Sequence, residues 1–556
     1  MLRYKDRHMG CALPFVSSSS VSSKQATFHR WRTPPPPQVI MSEQILDAVN
    51  LMLSEQHRFE LGLFLGSLLV VTFLARRLSR WYRLSHIPGP FFAGFSRWFW
   101  LVPMARSGEI TERMRQVESK YGRLARVGPN TLLTSDWHLW RRIMAVRSPY
   151  VRSKRFKGFR LDPAKDHVLS VTDDKEHNRL RTIMIHGYSG KEVEGVEEKV
   201  DSDVLSLINL LQSRYIAHNK AFDFGRKAQY LTTDVVAHLT FGKPLGFLAT
   251  DSDVYNYIDI IEKQLPVMGM LLNFPEFINF VNLPFLNRLF PKAGDKNGLG
   301  RLMGIAKETA AERFGGNKKV QRDMLGSFVA RGLTQKEVEA EIVLQFLAGS
   351  DTTATAIRSA MLLISTNPRV LRALQTEIDT VTTGPYPLDA VIRDETARAQ
   401  PYLTAIIRET LRWLPPGNDL STKVVPPEGD VWDGVVLPAG TEIGWNAVGL
   451  MRVEEVWGED ADQFRPERWL EVEKGSERAK DMETLVDMVF GGASRYQCLG
   501  RAVAMMELRK ALFELFRRYE FEVMKPEKPW VSRCWNVIEQ HDFWLKAHPR
   551  ESVSVA

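Results

Sequence analysis

The segment Phe490-Gly491-Gly492-Ala493-Ser494-Arg495-Tyr496-Gln497-Cys498-Leu499-Gly500 sets one cysteine between a glycine-rich approach and the start of an apolar helix. The chain has 3 cysteines in 556 residues (Cys11, Cys498 and Cys534), too few for a disulfide framework and suited to a reducing compartment. A thiol at a helix N-terminus is placed to ionise, because backbone N–H groups and the helix dipole stabilise its anion, and a thiolate is a metal ligand. Small residues ahead of it let the backbone pass close under a flat ligand. The alternative is a buried cysteine in a glycine-rich turn, and other segments of the chain decide between the two.

Ala348-Gly349-Ser350-Asp351-Thr352-Thr353 lies midway along a long helical stretch. Its glycine costs about 1 kcal/mol of helix stability against alanine, tolerable where the missing side chain makes room for something. Asp351 and Thr352 would then place an acid and a hydroxyl beside that gap; a packing glycine next to a solvent-facing Asp-Thr is the plainer reading. Glu409-Thr410-Leu411-Arg412 puts opposite charges at i and i+3, which alone is a common surface pair. Phe464-Arg465-Pro466-Glu467-Arg468-Trp469 adds Arg468, which could reach back to Glu409. A buried Arg–Glu–Arg network of that kind would be costly to break. Asp173-Asp174-Lys175-Glu176 reads as a capping box opening a helix with His177 and Arg181 at i and i+4. That pair could hold carboxylates, or form an ordinary solvated basic face.

These groups need rigid elements to position them. Thr334-Gln335-Lys336-Glu337 is a capping box, and no proline interrupts the chain from there to Asn367. The stretch makes roughly 50 Å of helix at about 1.5 Å per residue, so it must run through the middle of the molecule. Asn367-Pro368 reads as the cap and first position of the next helix, and a further helix over 403–414 ends at Pro415-Pro416. Strands are expected over 422–425, 431–437 and 442–447. The fold class is therefore mainly α with a small β-sheet region (α+β), without internal repeats. The chain exceeds the roughly 250–300 residues at which one core stops growing, so it forms two lobes or one unusually large helical domain. Hydrophobic content of 44% and charged content of 25% are ordinary for a folded protein. The net charge of +8 and pI near 9.2 are modest, and no Lys/Arg block is present, which argues against nucleic acid and for a membrane surface or an acidic partner.

Residues 1–40, with Ser17-Ser18-Ser19-Ser20 and Pro34-Pro35-Pro36-Pro37, cannot build a core and read as a disordered extension. A basic, acid-poor presequence is one alternative, and a start-site artefact ahead of Met41 is another. Residues 41–87 read as a membrane-anchor region with a transmembrane helix at about 59–78. Its uncharged run, 61–75, is short of a full span of about 20 residues, which leaves a buried helix as the alternative. Arg76, Arg77, Arg80 and Arg83 follow directly, as the positive-inside rule requires of a cytosolic flank. His86-Ile87-Pro88-Gly89-Pro90 then forms a stiff elbow between the anchor and a catalytic body over 88–556.

Taken in chain order, HxxxR, AGSDTT, ExxR, FxPERW and the cysteine loop resemble the cytochrome P450 monooxygenases, from Pro88 to about Val523. The anchor resembles that of the microsomal class, and FGGASRYQCLG is similar to the filamentous-fungal form. The resemblance implies the cytochrome P450 fold, with its long central helix over haem b. It makes Cys498 the axial thiolate of the haem iron and Phe490 the shield of its sulfur. Asp351 and Thr352 would relay protons to dioxygen. Glu409, Arg412 and Arg468 would form the structural clamp behind the cysteine loop, and His177, Arg181 and Arg495 would bind the haem propionates. There are departures. Ala493 stands where glycine is usual, and Tyr496 and Gln497 both separate Arg495 from Cys498, so the loop is one residue longer. His177 replaces a tryptophan, and Lys423 an arginine, keeping its charge but not its fork.

The activity implied is that of a haem-thiolate monooxygenase. It would take electrons from NADPH through NADPH–cytochrome P450 reductase, with cytochrome b5 as a further candidate partner. It would insert one oxygen atom into a lipophilic organic substrate, in secondary metabolism or detoxification. The implied location is the endoplasmic reticulum membrane, single-pass, with the catalytic domain cytosolic. Lys175, Arg179, Arg501 and Arg509 could meet an acidic reductase surface. Segments 156–169 and 265–290 would shape specificity, although core packing explains their apolar content equally well. The rivals are a haem-thiolate isomerase or dehydratase without a reductase, and a non-catalytic haem-binding membrane protein. Neither needs the acid and hydroxyl of Asp351 and Thr352.

Overall fold

The computed structural model describes residues 55–98, 107–162, 165–274, 291–316, 318–382, 387, 389–418 and 420–550. The extension expected over 1–40 lies outside the described residues. The chain divides into two units, Met1–Leu74 and Ala75–Ala556.

Helix α1, Glu55–Arg83, carries residues of both units. From Phe59 to Arg83 it is long and apolar enough to cross a membrane, and it runs past the expected end at 78 because no helix breaker occurs before Pro88. At the elbow, Arg126 N donates to Pro88 O at 2.7 Å. A Cβ at position 89 would lie 2.1 Å from the Arg126 carbonyl oxygen, so only glycine fits this approach.

The larger unit is built on helices α2 (Asp174–Tyr188), α3 (Val196–Arg214), α4 (Phe224–Phe241), α5 (Gln335–Ser365), α6 (Pro368–Val381), α7 (Pro401–Trp413) and α8 (Arg501–Arg518). Its main sheet uses β1 (Leu124–Gly128), β2 (Thr131–Thr134), β3 (Val151–Arg152), β4 (Lys423–Val424) and, after a hairpin of β5 (Asp430–Trp432) and β6 (Val435–Leu437), β7 (Glu442–Trp445). The strand order is β1-β2-β7-β4-β3, with β2 and β7 parallel and the other pairs antiparallel. A second sheet joins Tyr519–Val523 to Trp544–Pro549 near the end of the described chain.

Helix α5 is the central element. Thr334 and Glu337 satisfy each other's backbone N–H groups, so the capping box forms in full. The helix then runs 31 residues without a break. The weak point at Ala348-Gly349 does not interrupt it, although Ser350 Oγ and Thr352 Oγ1 bond back to the carbonyls of Phe346 and Ala348, each at 2.7 Å, which slightly weakens a helix. Gly349 instead serves packing: a Cβ there would lie 2.7 Å from Val236 Cγ2 on α4. The two helices are tied by Thr232 Oγ1 donating to Ser350 O at 2.8 Å and Arg358 Nε donating to Gly225 O at 2.9 Å.

Three expected elements differ. The strand over 431–437 is split into β5 and β6, because Asp433 (φ 47°) and Gly434 (φ 74°) form a tight turn. An Asp-Gly pair is the sequence signature of that turn. The strand over 442–447 stops at Trp445, since Asn446 caps a short helix by accepting from Gly449 N at 3.2 Å. At α2 only half of the second capping box forms. Asp173 accepts from Glu176 N at 2.9 Å, but the Glu176 carboxylate turns out to Arg179 at 2.7 and 2.9 Å.

Candidate active site

The loop before α8 is fixed by its own backbone. Gly491 N and Gly492 N donate to Met488 O and Asp487 O at 2.9 and 2.8 Å, and Cys498 N donates to Phe490 O at 2.7 Å. Gly491 has φ 81°, and a Cβ on it would lie 2.9 Å from Tyr496 O. Glycine is therefore required on two counts. Arg181 from α2 donates Nη1 to the Gln497 carbonyl, tying the loop from the other side.

The loop forms one wall of a cavity of about 400 Å³, within the size range of ligand pockets of about 300–1,000 Å³. Cys498 is exposed in surface terms although protein surrounds it, since the space it faces is this cavity. Burial pushes its thiol pKa up, opposed by the backbone N–H groups of Gly500 and Arg501 and by the charge of Arg181. From α5, Leu344, Ala348, Gly349 and Thr352 line the same space; from α8, Val503 and Ala504 do. His177, Arg181 and Phe490 are also on its wall. The His177 imidazole is pushed down to about 3, by desolvation first and by the Arg152 charge second, so it offers a neutral hydrogen-bonding ring rather than a cation.

Asp351 is not on the cavity wall. It turns behind α5 to α4, where Gln229 Nε2 donates to its carboxylate. Arg358 Nη2 in turn donates to Gln229 Oε1 at 2.8 Å. Burial raises the Asp351 carboxyl to about 6, with the Arg358 charge pulling the other way. Gln229 and Arg358 carry no sequence signal, because the α4–α5 contact that unites them is wholly tertiary.

Glu409, Arg412 and Arg468 are all buried, not a surface pair. Glu409 Oε1 accepts from Arg412 Nη2 (2.7 Å), Arg468 Nε (3.0 Å) and Arg465 N (2.9 Å). Its Oε2 accepts from Arg412 Nε and Trp469 Nε1, both at 3.0 Å. Other guanidinium protons reach the carbonyls of Met451, Trp457, Ala461 and Gln463, and Arg468 also meets the Asp460 carboxylate at 2.8 Å. One carboxylate thus organises the chain between α7 and the FxPERW segment.

Other expected positions separate. Arg495 is not on the cavity wall; its Nη2 donates to the carbonyls of Ser148 (2.6 Å) and Tyr150 (3.0 Å), and its Nη1 lies 3.2 Å from Asp174. Arg509 is buried and held by Asp394 at 2.6 Å, so it offers nothing to a docking partner. Lys175 and Arg179 are exposed, although Arg179 is engaged by Glu176 and Glu337. Arg501 pairs with Asp487 at 2.6 Å. Of segment 156–169, Phe156, Val168 and Leu169 reach the cavity. Of segment 265–290, the described part, 265–274, does not line it, and 275–290 lies outside the described residues.

The donor set fits a haem. A single thiol opens onto an apolar space walled by small residues, and cationic side chains gather at one edge: Arg152, Arg181 and Lys423. Arg152 is 7% exposed, and its Nε has no hydrogen-bond partner, so a buried donor awaits an acceptor there.

Comparison with known proteins agrees. The family model "Cytochrome P450" matches residues 90–546. The chain is 38% identical over 482 residues to cytochrome P450 monooxygenase ABA1 of Pyricularia oryzae, covering 84% of this chain and 93% of that protein. It is 35% identical to cytochrome P450 monooxygenase aba1 of Botryotinia fuckeliana, covering 84% and 92%. It is 28% identical to a pisatin demethylase of Fusarium vanettenii, covering 81% and 88%. The family binds haem b through a cysteine thiolate, and this chain belongs to it: the protein is a cytochrome P450 monooxygenase.

Proposed function

We propose that the chain is a single-pass enzyme of the endoplasmic reticulum membrane, anchored by α1 with its catalytic body in the cytosol. Its substrate is a lipophilic small molecule of secondary metabolism or detoxification, and the relatives' names, monooxygenase and demethylase, support that class. Cys498 would hold the iron of haem b through its thiolate, and the observation that carries this is the Cys498 side chain open to a cavity whose wall also bears Thr352. When bound, haem b supplies reductive activation of dioxygen, with one oxygen atom entering the substrate and the other leaving as water.

The chain's own residues do the rest. Phe490 lines the same cavity as Cys498, where its ring would keep water from the sulfur. The Glu409–Arg412–Arg468 network holds the segment behind the loop rigid. Arg181 fixes the loop through the Gln497 carbonyl and, with neutral His177, offers donors to the propionates. Thr352 lines the cavity with its hydroxyl donating to the Ala348 carbonyl at rest, and Asp351 behind it, with a carboxyl near 6, can gain and lose a proton around neutral pH. The lipophilic cavity selects apolar substrates. Electrons come from NADPH through NADPH–cytochrome P450 reductase, with cytochrome b5 as a second donor. Exposed Lys175 offers the reductase a cationic contact.

The reduced protein under carbon monoxide should show the absorption band of thiolate ligation, and Cys498→Ser should abolish it. Thr352→Ala should keep the band and lower product formed per NADPH consumed. A parent protein without the band, or a fully coupled Thr352→Ala enzyme, would overturn the corresponding assignment. Turnover without consumption of NADPH and oxygen would mark an isomerase or dehydratase instead.

A further inference from the structure

The turn that carries Val168 and Leu169 into the cavity wall is locked by its own groups. Ser170 N and Val171 N donate to His167 O at 2.9 and 3.1 Å, and Ser170 Oγ donates to Asp166 Oδ1 at 2.8 Å. His167 is 1% exposed. Its Nδ1 accepts from Ser170 N at 3.3 Å and its Nε2 meets Phe159 O at 2.9 Å, which a neutral ring with its proton on Nε2 satisfies.

Two charged residues grip this turn from outside by its backbone. Arg152 on β3 donates Nη1 to Val168 O (2.8 Å) and Val171 O (3.3 Å). Glu341 on α5 accepts from Val168 N at 2.6 Å. Two residues earlier on the same helix, Glu339 holds Lys165 at 3.0 Å. Glu341 is 1% exposed, and its Oε2 has no hydrogen-bond partner. A buried carboxyl with one oxygen idle is a costly group on a helix whose neighbouring buried positions are Val338, Ile342 and Val343. Its one bond goes to the backbone of a cavity-wall residue, and Leu169, next in the chain, stands in the same wall.

We infer that Glu341 is a positioning residue for the substrate: it sets Val168 and Leu169 in the cavity wall, and so the size of the lipophilic molecule that fits beside the cofactor. The inference rests on the reading of this cavity as the haem and substrate space. Only an acceptor is required of position 341. A carboxamide should therefore serve as well as a carboxyl, whereas an apolar group of similar size leaves the Val168 N–H buried without a partner.

The test uses the full-length holoprotein and two nitrogen ligands of iron, imidazole and the larger 1-phenylimidazole, each titrated by the shift of the haem absorption band. Glu341→Leu should weaken 1-phenylimidazole about tenfold, the scale of one lost buried hydrogen bond, and leave imidazole as in the parent. Glu341→Gln should leave both as in the parent. Leu169→Ala should also weaken 1-phenylimidazole, and combined with Glu341→Leu the two losses should not add, because both act through one wall. Unchanged 1-phenylimidazole binding in Glu341→Leu, an equal loss for both ligands, strictly additive losses, or a Glu341→Gln protein that behaves as Glu341→Leu overturns the assignment. If Glu341→Leu does not load haem, Glu341→Asp, one methylene too short to keep the bond, decides on the same criteria. Loss of haem in both marks a purely structural role and overturns the assignment as well. Failure of the haem reading would look different: neither ligand would shift the absorption of the parent.

Discussion

Gln229 on α4 donates its amide to the Asp351 carboxylate on α5 and accepts from Arg358 Nη2 at 2.8 Å, so one neutral side chain links a buried acid to a buried cation. This fixes Asp351 behind the cavity wall while Thr352, the next residue, faces the cavity. Acid and hydroxyl thus sit on different faces of one helix, with the acid's ionisation opposed by burial and favoured by the Arg358 charge.

Removing that link should be visible in pH dependence. A hydrogen bond to a carboxylate favours its charged form, so Gln229→Leu should raise the Asp351 pKa above its present value of about 6. The pH profile of product formed per NADPH should move to higher pH, with the haem spectrum unchanged. An unmoved profile in a folded, haem-loaded variant would exclude Asp351 as the titrating group.

Glu409→Gln should be among the most damaging substitutions in the chain. It removes the charge between two buried arginines, a loss of about 3–5 kcal/mol when one member of a buried ion network goes. The expected outcome is little soluble holoprotein and a sharply lowered midpoint of thermal unfolding. Unaltered unfolding would show that the backbone carbonyls, together with Asp460 on Arg468, suffice to hold the two arginines.

Gly349→Ala sets two effects against each other. Alanine gains about 1 kcal/mol in helix propensity, but its Cβ would meet Val236 Cγ2 at 2.7 Å, and overpacking costs about 1–3 kcal/mol. Net destabilisation is expected, and adding Val236→Ala should relieve it. Thermal unfolding of both single variants and the double variant measures the coupling; strict additivity would mean that the contact carries no weight.

Glu341 offers a stability test. It is buried, its Oε1 accepts from Val168 N at 2.6 Å, and its Oε2 has no partner. Desolvation raises it from 4.5 to about 8. A carboxyl raised in the folded state gives stability that is complete below about 4.5 and lost as pH climbs through about 8, since the unfolded chain releases the proton first. Glu341→Gln should therefore flatten the fall in melting temperature between pH 5 and 8. An unchanged slope would show that Glu341 is ionised in the fold.

Much of this was legible in the residues because it is local. The capping box at Thr334 and the proline after Asn367 delimit α5 through short-range hydrogen bonding and sterics. The glycine-rich loop and its cysteine mark a candidate thiolate site, which the other motifs in chain order tie to the family. The split of 431–437 was also local, written in Asp433-Gly434.

Contacts between distant segments were decided only by tertiary structure. Helix packing pairs Asp351 with Gln229, and strand register sets Arg152 opposite Lys423. The burial of Glu409 turns an ordinary i, i+3 pair into the centre of a network. The order of the motifs along the sequence by itself pointed to the family, because each is a short run that is read without the fold. Which groups Asp351, Arg152 and Arg495 meet was decided by the fold, because their partners lie on segments far away along the chain and no spacing rule brings those segments together.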